Sequence, residues 1–144
     1  MARRTAGGDM NRRKAREQAF VLIFERSINH DTTREIVDAA ETSEDVRIEE
    51  FAERVASGAE AKDPEIDAII RKYIRGWKMD RLSKVSLALL RLALYEMLFE
   101  PDIPVSVSIN EAVSLAKKYG SAEDAPFVNG VLGSAADELG DPDA

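Results

Sequence analysis

The segment from Val85 to Phe99 constrains the fold of this chain more than any other part of the sequence. It is apolar almost all the way round a helix, and Ser83 before it is a preferred N-cap residue. We therefore predict a helix from Lys84 to Phe99. A helix without a polar face is buried on all sides, and each fully buried leucine contributes on the order of 2 kcal/mol of transfer free energy. The segment thus predicts the centre of a helical bundle.

Apolar residues elsewhere in the chain recur at spacings of three and four, and no strand-like alternation is present. Gly120 is a typical C-cap, and Asp63-Pro64 is a typical helix start with Asp63 as N-cap. We predict an all-α bundle of about six to seven helices. The first predicted helix begins at Asn11, and three more span 34–40, 45–61 and 63 to about 77. After the helix at 84–99, one runs from Ser106 or Val107 to Tyr119, and the last runs from Asp124 or Ala125 to about Leu139.

Composition excludes several classes of site. The chain of 144 residues has no cysteine, so disulfides, thiolate metal sites and a cysteine nucleophile are excluded. The single histidine, His30, lies in a predicted loop and cannot form a multi-histidine site. We predict no metal, no cofactor and no catalytic residue. The apolar segment is shorter than the roughly 20 residues of a membrane span, and no secretory signal is evident, so we expect a soluble cytoplasmic protein without a membrane partner.

Charge is distributed unevenly along the chain. Residues 1–16 carry six cations against Asp9 alone, a net charge of +5, which leaves −12 on the rest of a chain of net charge −7. The cations are Arg3, Arg4, Arg12, Arg13, Lys14 and Arg16. Cations at a helix start oppose the helix dipole, so their position indicates a use beyond local stability. They are suited to sequence-independent phosphate contacts, although a solvated helix start is the alternative. Residues 1–10 are small and polar, which predicts a disordered basic arm.

An aromatic residue between arginines provides a second candidate, because Tyr73 lies between Arg71 and Arg75. An exposed ring there would stack on a base of single-stranded RNA while the arginines bind phosphates. Spacing alone favours the other interpretation, in which Tyr73 packs in the core with the isoleucines that precede it.

A third candidate comprises two C-terminal motifs. The first is Asn110-Glu111-Ala112 with Lys117-Lys118-Tyr119-Gly120, and the second is Phe127-Val128-Asn129-Gly130-Val131-Leu132. Gly130 costs a helix about 1 kcal/mol relative to alanine, which indicates close approach by another helix or a ligand.

Taken together, these motifs identify a family resemblance. The run Arg12-Arg13-Lys14-Ala15-Arg16-Glu17, the segment Leu90-Arg91-Leu92-Ala93-Leu94-Tyr95-Glu96-Met97, Pro104 and the two C-terminal motifs resemble the bacterial NusB transcription antitermination factors. Their order and spacing hold from about residue 12 to 139.

The resemblance implies two three-helix subdomains around the central helix, at about 11–79 and 80–139. It also implies binding of the boxA RNA of ribosomal RNA transcripts together with the ribosomal protein NusE, and read-through by an RNA polymerase elongation complex that is contacted indirectly. By position, the RNA-binding residues are Arg12, Arg13, Lys14, Arg16, Tyr73, Arg75, Lys117, Lys118, Phe127 and Asn129. Pro126 departs from the basic or polar residue expected before Phe127, which would remove one contact.

Three alternatives remain open. NusB-like domains also precede ribosomal RNA cytosine methyltransferases, but this chain has neither a glycine-rich cofactor loop nor a cysteine. A protein interaction module, including a homodimer that covers the RNA face, is the second. A DNA-binding regulator is the third, although no compact helix-turn-helix is evident.

Overall fold

The protein is all-α in its described residues. The computed structural model describes residues 9–43 and 46–139, which contain seven α helices, one 3-10 turn and no strand. The helices are α1 (Asp9–Asn29), α2 (Thr33–Ser43), α3 (Glu50–Ala61), α4 (Asp63–Tyr73), α5 (Lys84–Phe99), α6 (Val105–Tyr119) and α7 (Asp124–Leu139), with the 3-10 turn at Met79–Arg81. The predicted all-α class is confirmed. None of these helices is long and apolar enough to cross a membrane.

The chain divides into two compact units between Ala61 and Lys62. The first unit contains α1 to α3, and the second contains α4 to α7. The division lies earlier than the predicted one near residue 80, because α4 packs against α5 and α7 and so belongs to the second unit.

The first unit is held together by the apolar stripe of α1. This helix packs along α3, and both helices contact α2. Ala19, Ile23, Val37, Val55 and Ala59 are fully buried where the three helices meet. Small residues on α1 and α3 let the two helices approach closely.

Helix α5 is the centre of the second unit, as predicted, with α4, α6 and α7 packed against it. The Oγ of Ser83 accepts a hydrogen bond from the Ser86 N–H at 2.9 Å, which caps the first turn. Leu89, Leu90 and Leu94 are fully buried. The observed bounds Lys84–Phe99 match the predicted bounds.

Several helix ends differ from the predicted ones. Helix α1 begins at Asp9 rather than Asn11, and α6 begins at Val105, directly after Pro104. The N-cap of α4 is Lys62, so Asp63 is already helical. The helix predicted at 45–61 begins only at Glu50, because residues 46–49 are not helical and Gln18 of α1 hydrogen-bonds to the backbone of Arg47 and Glu49. Residues 1–8 of the predicted basic arm and residue 45 lie outside the described residues.

Helix α4 stops before the predicted end near Trp77. Arg75 has φ of 48° and Gly76 has φ of 84°, so two consecutive residues adopt the left-handed region. The helix therefore ends at Tyr73, with Ile74 as its C-cap, and the chain turns away. This turn decides which side chains of the segment reach the surface.

Candidate nucleic-acid interface

The cationic start of α1 is exposed on the first unit. Arg12, Arg13 and Lys14 are all accessible to solvent. The guanidinium carbon of Arg12 lies 4.1 Å from the ring centroid of Phe51 on α3. A cation–π contact at an exposed site is worth about 0.5–1 kcal/mol. The contact orders Arg12 while leaving the edge of its guanidinium accessible to an anion.

Arg16 differs from these three residues because it is only 2% exposed. Its guanidinium carbon lies 5.8 Å from the Phe51 ring, so the side chain points towards α3. Arg16 shares one face of α1 with Phe20 and Ile23, at spacings of four and seven residues. The burial favours a packing role over a phosphate contact.

Tyr73 is also buried, with 7% of its surface exposed. Its hydroxyl donates to Glu138 Oε1 on α7, and Lys72 Nζ lies 2.6 Å from the same oxygen. The hydrogen bond from Lys72, followed by that from Tyr73, holds the pKa of Glu138 below its ordinary value. The contacts join α4 to α7, and the buried ring favours the packing interpretation of Tyr73 over base stacking.

The exposed aromatic residue of this region is Trp77, which is not among the predicted site residues. It is 59% exposed, and its ring lies 6.0 Å from that of half-buried Phe127 at an interplanar angle of 68°. Arg75, two residues earlier, is exposed. No local sequence signal predicts this placement, because it depends on the left-handed backbone at Arg75 and Gly76.

A groove between the end of α6 and the start of α7 contains two of the predicted residues. It has a volume of about 500 Å³, and Lys117 and Asn129 line it together with Pro126. Lys117 and Asn129 are both exposed, so an ammonium group and an amide border the same groove. Lys118 is exposed as well, with its Nζ 5.4 Å from the ring of Tyr119.

Asp124 fixes the backbone beside this groove. Its Oδ1 accepts hydrogen bonds from Ser83 Oγ and Ser86 Oγ, each at 2.6 Å. Its Oδ2 accepts from the Ser121 N–H at 2.8 Å and from Ser121 Oγ at 3.2 Å. Burial raises the pKa of Asp124, but the hydrogen bonds outweigh it and the net pKa lies below the ordinary value. One carboxylate thus ties the start of α7 to the start of α5.

Close packing at Gly120 belongs to the same arrangement. A Cβ added there would lie 2.5 Å from Asp124 Oδ2 and 2.9 Å from the carbonyl oxygen of Ala116. Gly130 is the opposite case, because an added Cβ would meet nothing within 4 Å. Close approach by another helix of the described chain therefore does not explain Gly130.

The structure therefore groups the predicted residues into local sets. Arg12, Arg13 and Lys14 lie on the first unit, and the groove residues Lys117 and Asn129 lie on the second. Among residues 9–43 and 46–139, no group of three or more histidine, aspartate and glutamate side chains is arranged to hold a metal ion.

Comparison with known proteins gives a consistent result. A family model described as the NusB family matches residues 13–137. The transcription antitermination protein NusB of Clostridium botulinum (strain Loch Maree / Type A3) is 43% identical over 141 aligned positions, covering 86% of this chain and 98% of that protein. NusB of Acetivibrio thermocellus is 44% identical over 126 positions, covering 86% and 87%.

Solved structures agree with the sequence relatives. A structure of T. maritima NusB superimposes with a TM-score of 0.75 at 37% identity, covering 88% of this chain and 91% of that one. A crystal structure of the antitermination factors NusB and NusE in complex with double-stranded RNA gives a TM-score of 0.79 at 27% identity, covering 88% and 96%.

Proposed function

The chain belongs to the NusB family of transcription antitermination proteins, and on that premise we propose that it binds the boxA RNA of ribosomal RNA transcripts together with NusE. Bound there, it promotes read-through by the RNA polymerase elongation complex, which it contacts indirectly. The observation that carries the proposal is the exposed cationic start of α1 in a chain whose net charge is −7. Because the protein is acidic overall, phosphate is drawn to exposed clusters of cations such as this one.

The chemistry of the exposed residues suits them to different contacts with RNA. Arg12, Arg13 and Lys14 contact phosphates, which supplies affinity without sequence preference. Arg75, Lys117 and Lys118 add cations on the second unit. Phe127 and Asn129 are the candidates for contacts with bases, since an amide both donates and accepts hydrogen bonds. Arg16 supports the cationic start of α1 by packing against α3, and Tyr73 supports the second unit by packing between α4 and α7.

The proposed partners follow from the relatives. The solved NusB–NusE complex supports NusE as a protein partner and RNA as the nucleic acid. We assign the protein to the cytoplasm, where transcripts are made, and assign it no catalytic step. A homodimer that covers the RNA face is the alternative, and light scattering with and without RNA distinguishes it, because a covering dimer dissociates when RNA binds.

A salt titration tests the phosphate contacts directly. A fluorescently labelled boxA oligonucleotide is titrated with protein at several salt concentrations, with and without NusE. We expect tighter binding with NusE present. Each phosphate contact contributes about 0.7 to the slope of log affinity against log salt for a single strand. Arg12→Ala with Arg13→Ala is therefore expected to reduce the slope by about 1.4.

The matched control removes the same charge elsewhere in the first unit. Arg34 and Arg47 are both exposed, and Arg34 forms ion pairs with Asp38 and Glu53. Arg34→Ala with Arg47→Ala is expected to leave the slope unchanged. If both double variants reduce the slope equally, the effect of Arg12 and Arg13 comes from net charge and not from specific phosphate contacts. Undetectable RNA binding even with NusE would refute the proposed function.

A further inference from the structure

Trp77 is a large apolar side chain on the surface, and folding does not account for it. It is 59% exposed, and it is the only tryptophan in the chain. The left-handed residues Arg75 and Gly76 end α4 and turn the chain just before it. A tryptophan is highly buried on average, so one that a two-residue turn leaves exposed is a candidate for contact with a partner.

Phe127 holds the indole in a defined orientation. The two rings are 6.0 Å apart at 68°, the edge-to-face arrangement that the ring quadrupoles favour. In this arrangement Phe127 does not cover both flat faces of the indole. Gly130 lies one turn further along the same face of α7, where a Cβ would meet nothing within 4 Å. Gly130 therefore borders open space on this face of α7.

The charge around Trp77 selects the kind of partner. Residues 71–81, here called the basic segment, contain five cations and one acid, a net charge of +4 in a chain of net charge −7. Lys72 forms an ion pair with Glu138. The other four cations, Arg71, Arg75, Lys78 and Arg81, are exposed. Single-stranded nucleic acid is the partner that combines repeated negative charge with flat rings able to stack.

We propose that the indole of Trp77 is a stacking platform for an unpaired base of the bound RNA, with the exposed cations of the basic segment holding the flanking phosphates. This inference rests on the proposed function, since it requires that RNA binds. It adds a base-contacting residue that the family resemblance did not supply, and it places a second phosphate-binding segment on the second unit.

Intrinsic fluorescence tests the contact without any substitution. Because Trp77 is the only tryptophan, all indole emission comes from this position. A stacked base quenches indole emission, so titration with an unlabelled single-stranded boxA oligonucleotide is expected to quench it in parallel with binding of the labelled RNA. The same oligonucleotide annealed to its complement offers no unpaired base and is expected to leave the emission nearly unchanged.

Substitutions measure how much the contact contributes. Trp77→Leu is expected to raise the Kd for single-stranded RNA about 5- to 150-fold, the range that loss of one base–aromatic stack gives. Trp77→Phe keeps a stacking ring and is expected to recover most of the affinity. The increase should be similar at every salt concentration, because stacking releases no counterions. Phe99→Leu, at another exposed aromatic residue of the second unit, is the matched control and is expected to bind normally.

The outcomes separate this inference from the proposed function. If labelled RNA binds while Trp77 emission and the Kd of Trp77→Leu are both unchanged, the stacking platform is wrong and the proposed function stands. Emission that responds to NusE alone and not to RNA would also overturn it, in favour of a protein contact. If no RNA binds to the unmodified protein, both proposals fail together.

Discussion

Replacing Asp124 with alanine tests whether one carboxylate holds the second unit together. Its two oxygens accept four hydrogen bonds, from Ser83, Ser86 and both donors of Ser121. Asp124 is 8% exposed and the Ser86 hydroxyl lies in a residue that is 1% exposed. Alanine would remove every acceptor at once and leave donors on two different segments without their partner.

The expected cost is about 3 kcal/mol. The buried Ser86 hydroxyl would lose its acceptor, which costs about 1–3 kcal/mol. Loss of the Ser121 N–H contact adds about 1 kcal/mol, and loss of a negative charge in the first turn of α7 adds about 0.3–1 kcal/mol. Ser83 is exposed and turns to water at little cost. For a chain of this size the total corresponds to a fall in Tm of roughly 10 °C.

The pH dependence has a definite sign. The folded pKa of Asp124 is depressed, so its contribution is fully present above the unfolded pKa of about 3.9 and is lost as the pH falls through the folded pKa. The difference in stability between the unmodified protein and Asp124→Ala is therefore expected to be constant near neutral pH and to shrink at acid pH.

Urea denaturation followed by circular dichroism measures these differences, with Asp137→Ala as the control. Asp137 lies on the same helix but is exposed, so its substitution is expected to change stability by less than about 0.5 kcal/mol. Adding Ser86→Ala to Asp124→Ala removes the orphaned hydroxyl and is expected to restore about 1 kcal/mol. A loss for Asp124→Ala no larger than that of the control would refute the reasoning.

Two further predictions concern the same unit. Gly120→Ala places a Cβ against the Asp124 carboxylate and is expected to lower the free energy of unfolding by about 1–3 kcal/mol in urea denaturation. The Cβ of Gly133→Ala meets nothing within 4 Å, so this substitution is expected to stabilise α7 by about 1 kcal/mol. Equal effects would contradict the packing argument. Tyr73→Phe removes the hydroxyl that contacts Glu138, so an NMR titration should show the pKa of Glu138 rising towards its ordinary value, while an unchanged pKa would contradict the contact.

Helix α5 was predictable because its signals are local and agree with one another. Because apolar residues encircle the helix, it is buried on all sides, and the N-cap Ser83 fixes its first turn. The end of α6 was predictable for the same reason. Gly120 is its C-cap, and the Asp124 carboxylate and the Ala116 carbonyl leave no room for a Cβ at this position.

The burial of individual side chains was harder to predict, because it depends on what covers each face of a helix. Arg16 lies at the edge of the apolar stripe of α1, and only the position of α3 decides that it is buried. Trp77 was missed for a related reason. Its exposure follows from the left-handed backbone at Arg75 and Gly76, and arginine in that region is uncommon enough that no sequence rule predicts it.

The Asp124 contacts could not be predicted at all. Ser83 and Ser86 are separated from Asp124 by about forty residues of chain, namely 41 and 38. A serine at a helix start is sufficiently explained as an N-cap, so nothing in the local sequence indicates that its hydroxyl also donates to a distant carboxylate. Contacts of this kind are set by the packing of α5 against α7.

The division of the chain at Ala61 also separates its chromophores. Trp77 and all three tyrosines, at positions 73, 95 and 119, belong to the second unit, while the aromatic residues of the first unit are phenylalanines. Tyrosine and tryptophan emission therefore reports on the second unit alone, whereas far-ultraviolet circular dichroism reports on helices of both. Comparing the two signals in a single melt separates the cooperativity of each unit without any label or truncation.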